Sequence, residues 1–194
     1  MEYPKMEHIY SGYDRVIRIG YAGRVTIEQK RLDLFIAVAL KLRSENVDFF
    51  MQIAGDGDYL KDLQQKILIE ELDRNIQLIG YIPHDEIFEF WNNQDIYLSC
   101  SEYEGHSISQ TEAMAMGVVP VVTRTSGTED DIVDGYNGYI VDIGDIQELT
   151  ECIISLSRNP KKIEELGKNA SKTISNKNNP GSEKKFWKDI FENV

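Results

Sequence analysis

From Val16 to Ile140 short apolar runs alternate with longer amphipathic ones, and this rhythm restricts the fold more than any other feature of the chain. Val16–Tyr21, Asp48–Ala54, Asn75–Ile79, Asp95–Ser99, Val118–Thr123 and Gly138–Val141 read as strands. Arg31–Ser44 reads as a helix, with Leu32, Phe35, Ile36, Ala39 and Leu40 on one face. Asp58–Leu72 and His84–Asn92 read as two more, the latter opening at the turn of Pro83. Strands separated by helices need crossover connections, so the expected fold is α/β, a doubly wound and mainly parallel six-stranded sheet. The ends differ. Residues 1–14 are tyrosine-rich and aperiodic, as in a linker, and 15–175 form the domain. In 176–194 the run Asn176–Ser182 opposes helix and precedes Phe186, Trp187, Ile190, Phe191 and Val194 at helical spacing. That C-terminal amphipathic helix needs a partner surface, on its own domain or on another.

Charge narrows the partners. Against 21 basic side chains stand 33 acidic ones, a net charge of −12, which excludes coating nucleic acid or anionic membrane by bulk attraction. Any phosphate must be held by local donors. The two cysteines, Cys100 and Cys152, indicate neither a disulfide framework nor a zinc cluster, and His8 and His84 lack metal-ligand spacing. No apolar run reaches the roughly 18 residues of a spanning helix and no leader peptide opens the chain, so the expected location is cytoplasmic. Met51, Met114, Met116 and Trp91 read as packing residues, Cys100 as a structural thiol, and Glu129–Asp131 as a solvated helix start.

Two loops carry the chemistry. One follows the first strand, with Gly23, Arg24 and, six positions later, Lys30; the other runs from Ser99 to Ser107 into a helix over Ile108–Met116. In a sheet ordered 3-2-1-4-5-6, strands one and four flank the point where the order reverses, and both loops line one crevice. The helix opening at Ser107 offers unpaired N–H groups and a positive dipole end, Gly105 admits a close ligand, and Arg24 and Lys30 add cations. Such a cleft suits a diphosphate. Glu104 and Glu112, with seven residues between them, can both face it, and a carboxylate accepts the two hydroxyls of a vicinal diol. A glycosidase pair is the other use of two such carboxylates, disfavoured by the sheet class and the phosphate donors.

The segment Ser101-Glu-Tyr-Glu-Gly-His-Ser-Ile-Ser-Gln-Thr-Glu-Ala-Met-Ala-Met-Gly-Val-Val-Pro-Val-Val-Thr123 resembles the signature of retaining glycosyltransferases of family 4. Ile19-Gly-Tyr-Ala-Gly-Arg24 with Lys30, Ile53-Ala-Gly-Asp-Gly57, Gly80-Tyr-Ile-Pro83 and Asp134-Gly-Tyr-Asn-Gly-Tyr-Ile-Val141 resemble its other elements, so the likeness covers about Ile17 to Asn159. It implies the Rossmann-like, carboxyl-terminal, donor-binding half of a two-domain GT-B enzyme, which moves a sugar from a nucleoside diphosphate without a metal. Arg24, Lys30 and Glu104 would then be catalytic. The first two would hold the diphosphate with Gly23, and Glu104 the donor sugar. Ser101, Gly105, His106, Ser107 and Ile108 would line the sugar and phosphate, Glu112 would take the ribose, and Gly55, Asp56, Gly57 and Tyr81 the base.

The chain departs from the family where His106-Ser107 replaces Phe-Gly. His106 either bonds a sugar hydroxyl or fills the phenylalanine's place, the latter being favoured, while Ser107 is tolerated if its backbone is ordinary. Ser109, Gln110 and Thr111 replace aliphatics and suggest a more polar helix face. The implied partners are a nucleoside-diphosphate sugar, an amino-terminal acceptor domain lying outside this chain, and, for the full-length enzyme, a peripheral membrane surface. The implied setting is surface polysaccharide synthesis. Two further readings are a non-catalytic nucleotide-sugar module and a sugar-nucleotide epimerase of the same fold. A phospho-accepting signalling domain would need an acidic cluster beside the first strand, where Ala22-Gly23-Arg24 stands.

Overall fold

The computed structural model describes residues 16–177. Along the chain lie β1 (Ile17–Ala22), α1 (Asp33–Ser44), β2 (Phe49–Ala54), α2 (Leu60–Ile69), β3 (Ile76–Gly80), α3 (Ile87–Asn92), β4 (Ile96–Ser99), α4 (Ile108–Ala115), β5 (Val119–Thr123), β6 (Tyr139–Val141), α5 (Ile146–Ser157) and α6 (Pro160–Lys177). The six strands form one sheet in the order β3-β2-β1-β4-β5-β6, and every pairing is parallel. The order reverses between β1 and β4, which meet at Ile19 opposite Ile96 and Gly20 opposite Tyr97.

The alternation of side chains along the strands divides the core into two layers. Ile19, Ile96, Leu98 and Val121 pack with Phe35, Leu42 and Ile153, beneath α1 and α5. Tyr97, Val122 and Ile140 point to the other layer, where they meet Trp91, Met114, Ala170 and Ile174 of α3, α4 and α6. Trp91 sits edge-on to both Phe90 and Tyr97, at centroid distances of 4.7 and 5.6 Å. Met51, Met114 and Met116 are buried as core residues.

Helices begin later than their apolar spacing suggests. At α3 the residues after Pro83 form a turn, closed by the Glu86 N–H on the Pro83 carbonyl, so the helix starts at Ile87 and not at His84. Pro160 stands at the first position of α6, where its missing N–H costs no hydrogen bond. Ile163, Leu166, Ala170 and Ile174 bury that helix's stripe. Asn176 and Lys177 continue α6, so the loop expected from Asn176 does not begin there. Glu129–Asp131 is a second correction. These residues form a turn, not a helix start, and Asp131 is buried. The linker reading of 1–14 and the stripe from Phe186 to Val194 lie outside the described residues.

Candidate donor site

The carboxyl ends of β1, β2 and β3 open into a cleft of about 400 Å³, lined among others by Gly23, Arg24, Gly55, Asp56, Tyr81 and, from α4, Ser109. Backbone hydrogen bonds tie its walls together. Gly23 N–H donates to Ala54 O at 3.0 Å, Val25 N–H to Asp56 O at 2.9 Å, Tyr59 N–H to Val25 O at 3.1 Å and Gly55 N–H to Gly80 O at 2.7 Å. Gly55 has a φ of +128°, and a Cβ there would lie 1.8 Å from the Gly23 carbonyl oxygen. Glycine at this position is therefore a condition for the β1 and β2 loops to touch. A Cβ on Gly57 would likewise meet the Val25 carbonyl, while Asp56 Oδ1 accepts the Gly57 N–H at 2.8 Å. Tyr81 projects into solvent at the rim, 78 % exposed.

The β1 loop is also bound to the β4 loop, and Gln29 makes the connection. Its side chain accepts from Arg24 and donates to Tyr103 O at 3.1 Å, while its carbonyl accepts the Glu102 N–H at 2.9 Å. Beside it the Lys30 ammonium pairs with the Glu104 carboxylate, and the Arg31 guanidinium holds Glu102 and Asp33. The hydrogen bonds to Asp33 and Glu102 raise the Arg31 pKa further above its already high ordinary value. Arg24, Lys30 and Glu104 thus come together at one mouth, and Lys30 reaches across it despite standing six residues after Arg24.

Ser107 caps α4. Its backbone is extended (φ −91°, ψ 109°), its Oγ accepts the Gln110 N–H at 3.3 Å, and Tyr97 Oη lies 3.3 Å from the same Oγ. Burial pushes the Tyr97 phenol up to about 12, and burial raises Tyr21 far above the ordinary tyrosine range, so both stay neutral donors. Tyr21 Oη donates to Arg24 O at 2.7 Å and thereby fixes the loop that presents the guanidinium. The same effect pushes the buried Cys100 thiol up to about 12, which makes it a packing group and a poor nucleophile. A Cβ on Gly105 would meet nothing within 4 Å, so the space beside it is open, and Ile108 is 63 % exposed.

Two expectations change, and His106 lies at the surface. Its side chain is 60 % exposed, with Nε2 3.3 Å from Thr111 Oγ1 and Nδ1 3.8 Å from Asp131 Oδ2. Gln110 and Thr111 are buried, so only Ser109 of the polar trio reaches the cleft. Ser101 is buried as well, its hydroxyl 3.1 Å from Ser99 Oγ and its carbonyl accepting from Thr123 Oγ1, so it props the β4 loop from beneath. Glu112 is almost fully enclosed, with one oxygen 3.6 Å from His84 Nδ1. Burial raises its pKa, and the Trp91 indole and His84 only partly offset this.

Sequence reasoning also passed over a brace. Ser126 Oγ donates to Glu104 O at 2.8 Å and Gly127 N–H to the same oxygen at 3.2 Å. A Cβ on Gly127 would lie 1.3 Å from Gly105 O. The visible signal was a glycine four residues beyond β5, followed by a threonine; what it contacts is a long-range fact.

A doubly wound parallel sheet with cations and a helix N-terminus near its switch point belongs to the class of α/β domains whose crevice suits an anionic ligand. The model of the family described as glycosyl transferases group 1 matches residues 11–173, and the chain belongs to that family. It is 31 % identical over 178 residues to a poly(ribitol-phosphate) alpha-N-acetylglucosaminyltransferase of Staphylococcus aureus, covering 89 % of this chain and 35 % of that protein. Among solved structures, S. aureus TarM in complex with fondaparinux, alpha-GlcNAc-glycerol and UDP matches with a TM-score of 0.84 at 26 % identity, over 98 % of this chain and 37 % of that one. The C-terminal domain of the group 1 glycosyl transferase LpcC of Francisella tularensis matches with a TM-score of 0.75 at 27 % identity, over 83 % and 85 %. The chain therefore spans little more than a third of the first curated relative, but most of a separately solved C-terminal domain. Among the described residues no helix is long and apolar enough to cross a membrane.

Proposed function

We propose that this chain is the carboxyl-terminal, donor-binding half of a retaining glycosyltransferase of family 4, which takes its sugar from a uridine-diphosphate sugar. One observation carries the reading: Arg24 lines the cleft with Ser109 of α4, and Gln29 ties it to the loop whose Glu104 pairs with Lys30, at the β1/β4 switch point. The choice of uridine is supported by the UDP held by the similar TarM structure.

In this reading Arg24 and Lys30 take the diphosphate and stabilise the charge that grows on it as the sugar–phosphate bond breaks. The α4 N–H groups after Gly105 supply fixed partial positive charge on the other side, so metal is not required. Glu104 turns from Lys30 to the donor sugar's hydroxyls, Glu112 holds the ribose and Tyr81 stacks on the base beside Gly55-Asp56-Gly57. The acceptor belongs to an amino-terminal domain of the full-length enzyme, a cytoplasmic protein at the membrane surface. The poly(ribitol-phosphate) relative supports a surface polymer as destination.

Calorimetric titration with UDP, GDP, ADP and their sugars, with EDTA present, tests this. Saturable binding to the uridine compounds alone, abolished by Arg24→Ala, is expected. Silence across the panel from folded protein overturns the reading. Vigorous sugar transfer by this chain alone would remove the need for a second domain.

A further inference from the structure

The least expected group near the cleft is a buried carboxylate. Asp131 stands in the turn after β5 with its side chain 4 % exposed. Lys177 of α6 donates to its Oδ1 at 2.6 Å and also to Asp130 O. Its Oδ2 is enclosed and makes no hydrogen bond, and it faces Nδ1 of His106 at 3.8 Å. A carboxylate oxygen can only accept, and a buried acceptor left unmade is costly. On the other side of the ring, Thr111 Oγ1 directs its one proton to Ser107 O at 3.2 Å, which leaves it an acceptor for Nε2 at 3.3 Å. Both ring nitrogens of His106 therefore face acceptors, an arrangement that suits the doubly protonated imidazolium.

Resting on the donor reading above, we propose that Asp131 and His106 form a positioning pair, in which a charged His106, clasped between Asp131 and Thr111, sets the Gly105–Ile108 backbone so that its N–H groups aim at the donor's diphosphate. His106 immediately precedes the α4 cap, so a side chain held between Asp131 and Thr111 restrains the backbone of the residue whose peptide planes flank the anion. The pair also places one more positive charge within a residue of the helix N-terminus.

The surrounding charges leave this partnership to His106. Within its own loop Glu104 is taken by Lys30. In the turn after β5 Glu129 is taken by Arg124, and on α4 Glu112 faces His84. From α6 Lys177 holds the Oδ1 of Asp131. Donor affinity consequently falls as pH rises and the imidazolium loses its proton.

UDP-N-acetylglucosamine is a suitable probe, because its doubly esterified diphosphate keeps the same charge between pH 5.5 and 8.5. Titration of the whole chain is expected to show affinity falling about fivefold over that range, the loss of one modest charge contact. His106→Phe should flatten the profile, and Asp131→Asn should shift its midpoint to lower pH. Imidazole NMR of His106, assigned by its loss in His106→Phe, reads the pair without donor: its titration midpoint should drop by at least half a pH unit in Asp131→Asn. An unchanged midpoint in folded Asp131→Asn, or a wild-type profile retained in His106→Phe, overturns the pair while donor binding stands. A midpoint that shifts as expected with no donor bound at any pH instead overturns the donor reading and the pair's role in it.

Discussion

Lys30 and Glu104 face each other across the mouth of the cleft, ammonium against carboxylate, although 74 positions separate them in the chain. In the proposed reaction each has another partner, the diphosphate for Lys30 and the sugar for Glu104. The pair holds both side chains at the site before substrate arrives, at the cost of having to separate. Glu104→Gln frees the lysine. It is expected to bind UDP as tightly as wild type or up to about fivefold tighter, the value of one partly exposed ion pair, while losing the preference for a UDP-sugar over UDP. Weakened binding of both compounds in the same proportion would argue that Glu104 serves only to place the loop.

Arg24 is exposed, and among the described residues its guanidinium is anchored through Gln29. Arg24→Ala should leave the melting temperature within about a degree, since exposed side chains contribute little to stability. Its effect on UDP binding should be large, about 10- to 100-fold, as for loss of charge-assisted hydrogen bonds to phosphate. Arg24→Lys should recover only part, because a point charge does not reproduce the planar fork. Calorimetry beside thermal melts separates the two effects.

The strands of this fold were legible because parallel strands covered on both faces read as apolar runs between helical periods, as Val119–Thr123 and Ile96–Ser99 do. The cleft was legible because its residues fall in short loops at strand ends, where the sheet order dictates which loops meet. Interactions across the chain were not. Nothing in the sequence said that Gly127 must let Gly105 pass, or that Gln29 joins the two loops. The acidic run Glu129–Asp131 looked solvated because composition cannot distinguish an exposed aspartate from one turned beneath a loop onto a lysine of α6. The partners of His106 were hidden for a related reason: an aromatic's position in a motif does not say which neighbours a polar replacement will find.

Glu112 links stability to pH. Its carboxyl holds its proton more strongly in the folded chain than in the unfolded one, because burial disfavours the charge. A group with a raised folded pKa makes the native state bind more protons, so its contribution turns against the fold as pH climbs from the unfolded carboxyl value, about 4.3, through the raised one. Glu112→Gln removes the buried charge and should melt higher than wild type at pH 7, by on the order of a few degrees, with the difference vanishing below about pH 4. Donor binding should weaken in the same variant through the lost ribose acceptor. A lower melting temperature at pH 7 would mean that contacts with His84 and the Trp91 indole outweigh the burial.

Gly105 and Gly127 meet at one point, the Gly105 carbonyl, but a methyl group should have opposite effects on them. At Gly127 it would strike backbone that cannot yield without moving the Glu104–Ser107 loop, so Gly127→Ala should lose about 1–3 kcal/mol of stability and donor binding with it. At Gly105 it would enter open space. Gly105→Ala should therefore melt within about a degree or two of wild type and still bind UDP-sugar at least tenfold more weakly, since the methyl occupies space a ligand would need. Thermal melts and titrations on the two variants decide the matter. Unimpaired binding by Gly105→Ala would place the donor elsewhere along the cleft, toward Tyr81 and Asp56.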